Sequence, residues 1–191
     1  MNKTTKIIIA IVAIIAIVAI VSAIILTKSN SKSKSTLEIN KENDLVALVD
    51  KMYEGQDIKM ASLMTQTIDI TDEELVQSVT GLESAKDLEF VVVSEPMISS
   101  QAYSLVLVKV KDGVNVNQIA KTMNENINPS KWICVTAERV YTTSSGNVIC
   151  LVMSSEEVAK PIYERFKALA GSVGEEYGKI QQETELPPEM Y

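Results

Sequence analysis

The sequence contains no histidine. That absence removes Ser-His-Asp and Cys-His catalysis, histidine-ligated zinc, haem with a histidine ligand, and the ordinary switch near neutral pH. Cysteine is scarce: Cys134 and Cys150 are the whole complement, too few for a four-thiolate metal site, and they form no CxxC pair. The seven glycines supply no GxxxxGKS/T loop, no GxGxxG turn and no GxSxG elbow. Acids are missing only locally. The first 35 residues hold Lys3, Lys6, Lys28, Lys32 and Lys34 and no Asp or Glu. Residues 36–191 therefore keep 13 of the 18 basic residues and all 25 acids, a net charge of −12. Such a balance argues against nucleic acid, or an anionic lipid surface, as the partner of that part.

What the first section does have is a 20-residue run, Ile7 through Leu26, apolar except for Ser22. As a helix it is about 30 Å long, the thickness of a bilayer's hydrocarbon core. Apolar on every face, it reads as a spanning segment in preference to a buried core helix. The expectation is a short tail over residues 1–6 and a transmembrane signal anchor over residues 7–26, in contact with the lipid bilayer. The alternative is a secretory signal cleaved after Ala23, at the small-residue stretch Val21-Ser22-Ala23. A lipobox is excluded, because no cysteine lies near the end of the run. Lysines flank the run on both sides, so charge counting does not orient it. The basic start followed by an apolar stretch places the C-terminal domain outside the cytoplasm, on a single-pass protein of the cell membrane. A six-residue tail would leave no room for a cytoplasmic output domain. Residues 27–41, rich in serine and lysine, read as a flexible linker with an end-to-end distance of about 20 Å.

From Asn43 the pattern changes, and residues 42–171 read as one α+β domain. Leu45, Val46, Leu48, Val49, Met52 and Tyr53 recur at helical spacing, with Asn43 or Asp44 as cap and Gly55 as stop. Thr71 and Glu74 fit a capping box that starts a second short helix ending near Gly81. Two strands follow, Leu88–Ser94 and Tyr103–Lys111. In the latter, Ser104, Val106, Val108 and Val110 line one face, whereas the other is apolar at one end and charged at the other. A helix capped by Asn115 carries Val116, Ile119, Ala120, Met123 and Ile127 on one side. The order then repeats: Trp132–Tyr141 and Asn147–Met153 as strands joined by a loop over Thr142–Gly146, and a helix with Val158, Ile162, Phe166 and Leu169. Ser154 and Glu157 read as its capping box, Pro161 as a kink or a later start, and Gly171 as its end. The economical solution is a four-stranded antiparallel sheet with helices packed on one face, β-β-α repeated twice after two short helices. Residues 172–191, acidic and carrying Pro187-Pro188, read as a mostly disordered tail.

The sequence assigns no catalytic, cofactor-binding or metal-ligating residue, and no cofactor. Cys134 and Cys150 sit on neighbouring strands of the second hairpin, but a loop centred on Ser144 sets Cys150 opposite about residue 139. The expected state is two buried thiols packed as small apolar residues, with a disulfide as the alternative. Asp69, Asp72, Glu73 and Glu74 are oxygen donors suited to calcium, yet they lack the glycine and spacing of an EF-hand, and a helix start already favours acids there. Met97 and Ile98, in the loop Glu95–Tyr103, are expected to fold back onto the core, with a partner contact as the alternative. Trp132 is expected to pack in the core.

The helix start Thr71-Asp72-Glu73-Glu74-Leu75 with Gly81-Leu82, the strand end Val91–Met97, the stretch Leu105–Gly113 and Gly146–Ser155 resemble an uncharacterised family. Its members are membrane-anchored or lipidated extracytoplasmic α+β domains of Gram-positive bacteria. The resemblance spans about residues 66–170, rests on structural motifs, and implies no activity and no functional residue. This chain departs from it in having a spanning run where a lipobox cysteine is expected. The expected role is a non-catalytic binding or assembly module with a protein partner. The alternative is a histidine-independent hydrolase, carboxylate or Ser-Lys, acting on cell-wall or extracellular material.

Overall fold

A computed structural model describes residues 35–57, 62–98 and 100–181. The run 7–26, most of the linker and residues 182–191 lie outside the described residues, as do the expectations placed on them. Among the described residues no helix is long and apolar enough to cross a membrane.

Helix α1 spans Glu42–Tyr53 and buries Leu45, Leu48, Val49 and Met52, the one-sided stripe that its periodicity predicts. Asp44 does not precede the helix; from its third position its carboxylate accepts the amides of Asn40 and Lys41 at 2.9 and 3.0 Å. Helix α2 spans Glu73–Thr80, and its cap is Asp72, which accepts the Leu75 amide at 3.0 Å. The expected box on Thr71 does not form, because Thr71 turns back to Asp69 through both its amide and its hydroxyl. Helix α3, Val116–Asn126, is capped by Asn115 as its sequence predicts. Helix α4 runs over Glu156–Ala170 with Pro161 inside it. The Ser154 hydroxyl, expected in a capping box, donates instead to the Ala102 carbonyl at 2.8 Å.

The strands are β1 (Leu63–Thr67), β2 (Leu88–Pro96), β3 (Ser104–Val110), β4 (Arg139–Ser145), β5 (Val148–Ser154) and β6 (Tyr177–Ile180). They form one antiparallel sheet in the order β1-β2-β3-β5-β4-β6. The sheet thus has six strands where four were expected. The helices also lie on both faces, not one. Val76, Val79, Ala120 and Met123 from α2 and α3 pack on Val91, Val106, Val108, Ile149 and Leu151. On the opposite face, Leu45, Val49, Ile162 and Phe166 from α1 and α4 pack on Val92, Leu105, Leu107, Cys150 and Val152. The central strands explain why: all seven residues of β5 are buried, and β3 is apolar on both sides, so each side needs a cover.

The repeated β-β-α order is present, but no rotation relates its two halves. Since β3 and β5 are antiparallel neighbours, an axis exchanging β2-β3 with β4-β5 must be normal to the sheet, which leaves faces unchanged. Helices α3 and α4 nevertheless cover opposite faces. The repeat is one of order, not of space.

Strand β4 lies further along the chain than Trp132–Tyr141. Thr142-Thr143-Ser144-Ser145, expected as loop, is buried strand, and Gly146-Asn147 alone makes the turn, with Gly146 at φ 58°. Composition misleads here because each buried hydroxyl has its own partner. Thr142 accepts from Asn124 Nδ2 (3.0 Å), Thr143 donates to the Glu175 carbonyl (2.9 Å), Ser144 to Asn117 Oδ1 (3.0 Å) and Ser145 to the Ser172 carbonyl (2.6 Å). These bonds also correct the reading of 172–181 as disordered. That segment is laid along β4, where Tyr177 packs against the core and β6 continues the sheet. A Cβ on Gly174 would sit 2.7 Å from Asn117 Oδ1 and 2.8 Å from Ser144 Oγ, so the segment passes where a side chain has no room.

The end of the linker is likewise part of the fold. Thr36 covers two terminal carbonyls of α4, its amide donating to Ala170 and its hydroxyl to Leu169, and Ile39 is buried.

Candidate functional site

The acids singled out in the sequence are occupied by local structure. Asp69 Oδ1 accepts the Thr71 amide and hydroxyl at 2.9 and 2.7 Å, and these bonds hold its carboxyl below the usual range. Asp72 caps α2, and Glu73 and Glu74 occupy its first turn, where the helix dipole favours negative charge. Together with Lys86 and Ser84 they line a shallow, open concavity. Among the described residues no three Asp, Glu or Cys side chains are placed to share a metal ion.

Polar side chains converge at three further places. Tyr53 and Tyr103 share a hydroxyl–hydroxyl bond of 2.9 Å under the sheet, while Ser94 accepts from Thr65 at 3.1 Å nearby. Burial pushes Tyr53 up to about 12 and Tyr103 well above its ordinary value, so both stay neutral phenols. At the edge of α4, Glu176 Oε2 accepts from Lys167 Nζ (2.9 Å) and the Tyr163 hydroxyl (3.0 Å). The Lys167 bond does most to hold the Glu176 carboxyl down, and its bond to Glu176 raises Lys167. This triad fastens the segment leading into β6. The third place brings together Lys131, Glu95 and Ser104. Lys131 Nζ lies 2.5 Å from Glu95 Oε1 and 3.5 Å from Ser104 Oγ. It is a Ser–Lys contact of the kind a hydrolytic dyad needs, but Ser104 is fully buried and the lysine's near partner is a carboxylate.

The two cysteines part company. Cys150 is fully buried opposite Thr143, and burial pushes its thiol far up. Cys134 is exposed in the loop before β4, with a positive φ of 63°, which corrects the expectation of two buried thiols. Both are free. In the native protein a maleimide is therefore expected to modify one thiol within minutes, and the second only after denaturant is added. Mass spectrometry reads the stoichiometry. Two fast modifications would show that the sheet leaves Cys150 open.

The most distinctive surface lies at the end of the sheet where β2 finishes and β3 begins. Met97 is 67% exposed, Ile98 53% and Ile133 76%. The expectation that Met97 and Ile98 fold onto the core is overturned. The Met97 amide still pairs with the Ser62 carbonyl at 3.1 Å, so the backbone pairing with the β1 side continues one residue past the end of β2 while both side chains stay exposed. The Lys131–Glu95 bond draws the loop before β4 to the same end, with Trp132 half-buried against the core and Lys131 Nζ 5.4 Å from its ring centre. Ile133 escaped the sequence reading because it fell within a segment read as strand. The signal available was Pro129-Ser130, a turn pair just upstream.

This apolar end is remote from the point of chain entry. Ser35 and Thr36 lie against Gly146 and Gly171, beside the β4–β5 turn. From that turn β5 runs its seven residues to Ser154, whose hydroxyl reaches Ala102 in the β2–β3 loop. At ~3.3 Å per residue the two ends are about 20 Å apart. No protein family, curated protein or solved structure matches this chain.

Proposed function

We infer that the protein is a non-catalytic binding or assembly module, tethered to the cell membrane by residues 7–26, with its folded part outside the cytoplasm and a protein partner at its far end. The observation that carries this reading is the exposed Met97, Ile98 and Ile133 at the end of the sheet opposite the chain entry. Large apolar side chains gathered on two loops favour a protein contact over solvent. The apolar run before the folded part supports the tether, and the charge of −12 beyond it disfavours nucleic acid and anionic lipid. The resemblance to anchored extracytoplasmic domains points the same way. A histidine-independent hydrolase finds less support, since the one Ser–Lys contact among the described residues is closed to substrate.

The test is a photo-crosslinking amino acid placed at Ile133 of the full chain in intact cells, with Glu164 on α4 as the control position. A discrete adduct to another protein from position 133 and none from 164, weakened by Met97→Ser with Ile98→Ser, is the expected result. Equal, diffuse adducts from both positions would remove the distal end as a binding surface. In the same cells a membrane-impermeant maleimide should reach Cys134, and protection of Cys134 until the membrane is opened would overturn the extracytoplasmic placement.

A further inference from the structure

We propose that β1 is a self-association edge, and that two copies of this chain join antiparallel through it into one continuous sheet. The register of β1 on β2 settles which of its backbone groups are free. Leu63 opposes Pro96, Thr65 opposes Ser94 and Thr67 opposes Val92. The Ile68 amide donates to the Val91 carbonyl, and the Met97 amide to the Ser62 carbonyl. Hydrogen-bonded pairs therefore fall at the even positions 62, 64, 66 and 68, and the N–H and C=O groups of Leu63, Thr65 and Thr67 point outward. Among the described residues none of these outward groups has a partner.

An open edge is ordinarily guarded by charge, proline, a bulge or a cover. The stretch Leu63-Met64-Thr65-Gln66-Thr67 has no charge, no proline and no glycine, and its pairing with β2 runs without a bulge. The other edge differs. In β6 the Gln181 amide bonds the Glu138 carbonyl, which leaves only Gly178 and Ile180 facing outward, with Lys179 between them.

The occupant is a second copy for reasons of charge and symmetry. Two copies of residues 36–191, each of net charge −12, repel each other over most approaches, and β1 offers a strip that carries no charge. An antiparallel pair centred on Thr65 obeys a two-fold axis by construction. It sets Thr65 against Thr65 of the second copy and Leu63 against Thr67, so that three pairs each exchange two hydrogen bonds. On one side of the joined sheet Met64, 46% exposed, meets Gln66 of the other copy. A five-residue strand is a small interface, and tethering in one bilayer raises the local concentration that favours it. In that respect alone the inference rests on the reading of residues 7–26 as an anchor.

The experiment places Thr65→Cys in a Cys134→Ser background of the full chain, in membranes of the cells that make it, under mild oxidation. Across a hydrogen-bonded pair the two Cα atoms stand about 5.5 Å apart, within reach of a disulfide. Gln66→Cys is the register control, since its counterpart in the second copy lies about 8 Å away, beyond that reach. The expected result is a disulfide dimer of twice the chain mass from position 65 and little from position 66. Adding Thr67→Lys, an exposed position where a charge guards the edge, should cut the dimer about tenfold without unfolding the protein. A thiol at position 65 that a maleimide labels but that never dimerises would overturn the proposal. So would equal dimer from positions 65 and 66, or a position-65 adduct with a different protein. Each of these leaves the adducts at Ile133 unaffected, so failure of the edge and failure of the distal surface are told apart.

Discussion

Gly81→Ala is expected to destabilise the fold by about 3–4 kcal/mol, more than any other single methyl added at a glycine. Gly81 ends α2 in the left-handed region, at φ 76°, with its amide bonded to the Gln77 carbonyl. A Cβ there would lie 2.5 Å from the backbone nitrogen of Ile127 and 2.9 Å from its Cα. Those atoms belong to the end of α3, where the Ile127 amide closes onto Met123 and the Ile127 side chain is buried. Neither helix end can shift freely, because each carries core residues. Gly113→Ala is the matched control. Its φ of 83° imposes a similar backbone strain, but nothing lies within 4 Å of the added carbon, so about 1–2 kcal/mol is expected. Urea unfolding followed by the fluorescence of Trp132, the single tryptophan, measures both. Equal losses would show that α2 and α3 do not meet at Gly81.

Phe166→Ala should cost about 3–5 kcal/mol. Phe166 is among the largest fully buried side chains and sits between α4 and the β3–β5 side of the sheet. Truncation leaves a cavity that neighbours on a helix and a central strand are poorly placed to fill. Met123→Ala, on the other face under α3, is expected to cost about 2–5 kcal/mol. With the whole sheet between them, the two losses should add to within about 0.5 kcal/mol in the double variant. A large deviation from additivity would show that the two layers share packing through the strands, against a division into two separate cores.

The features legible in the sequence were those written in local patterns. Asn115 as a cap, Gly81 and Gly171 as stops, the apolar stripe of α1 and the strands β2, β3 and β5 all follow from spacing over a few residues. What escaped depends on partners distant in the chain. β1, with Thr65, Gln66 and Thr67, carries no strand pattern of its own and is strand because β2 is beside it. The run Thr142–Ser145 reads as loop until Asn124, Asn117, Glu175 and Ser172 satisfy its hydroxyls. β6 is strand only because β4 supplies its ladder. Whether α4 lies over or under the sheet is set by how the chain crosses from β5, which no residue spacing records. The distal surface had the same difficulty: Met97 and Ile98 are apolar and short-range logic sends them inward, whereas they follow directly on the end of β2 and stay exposed.

The segment laid along β4 has a mechanical consequence. The described chain enters beside the β4–β5 turn, at Ser35 and Thr36, and leaves beyond β6, where the Gln181 amide bonds Glu138 at the start of β4. Entry and exit are at opposite ends of the same strand. Tension applied between them runs along the strand axes, so the β4–β6 hydrogen bonds carry it together, in shear. None of them can be opened singly, as they would be if the chain left from the end at which it came in.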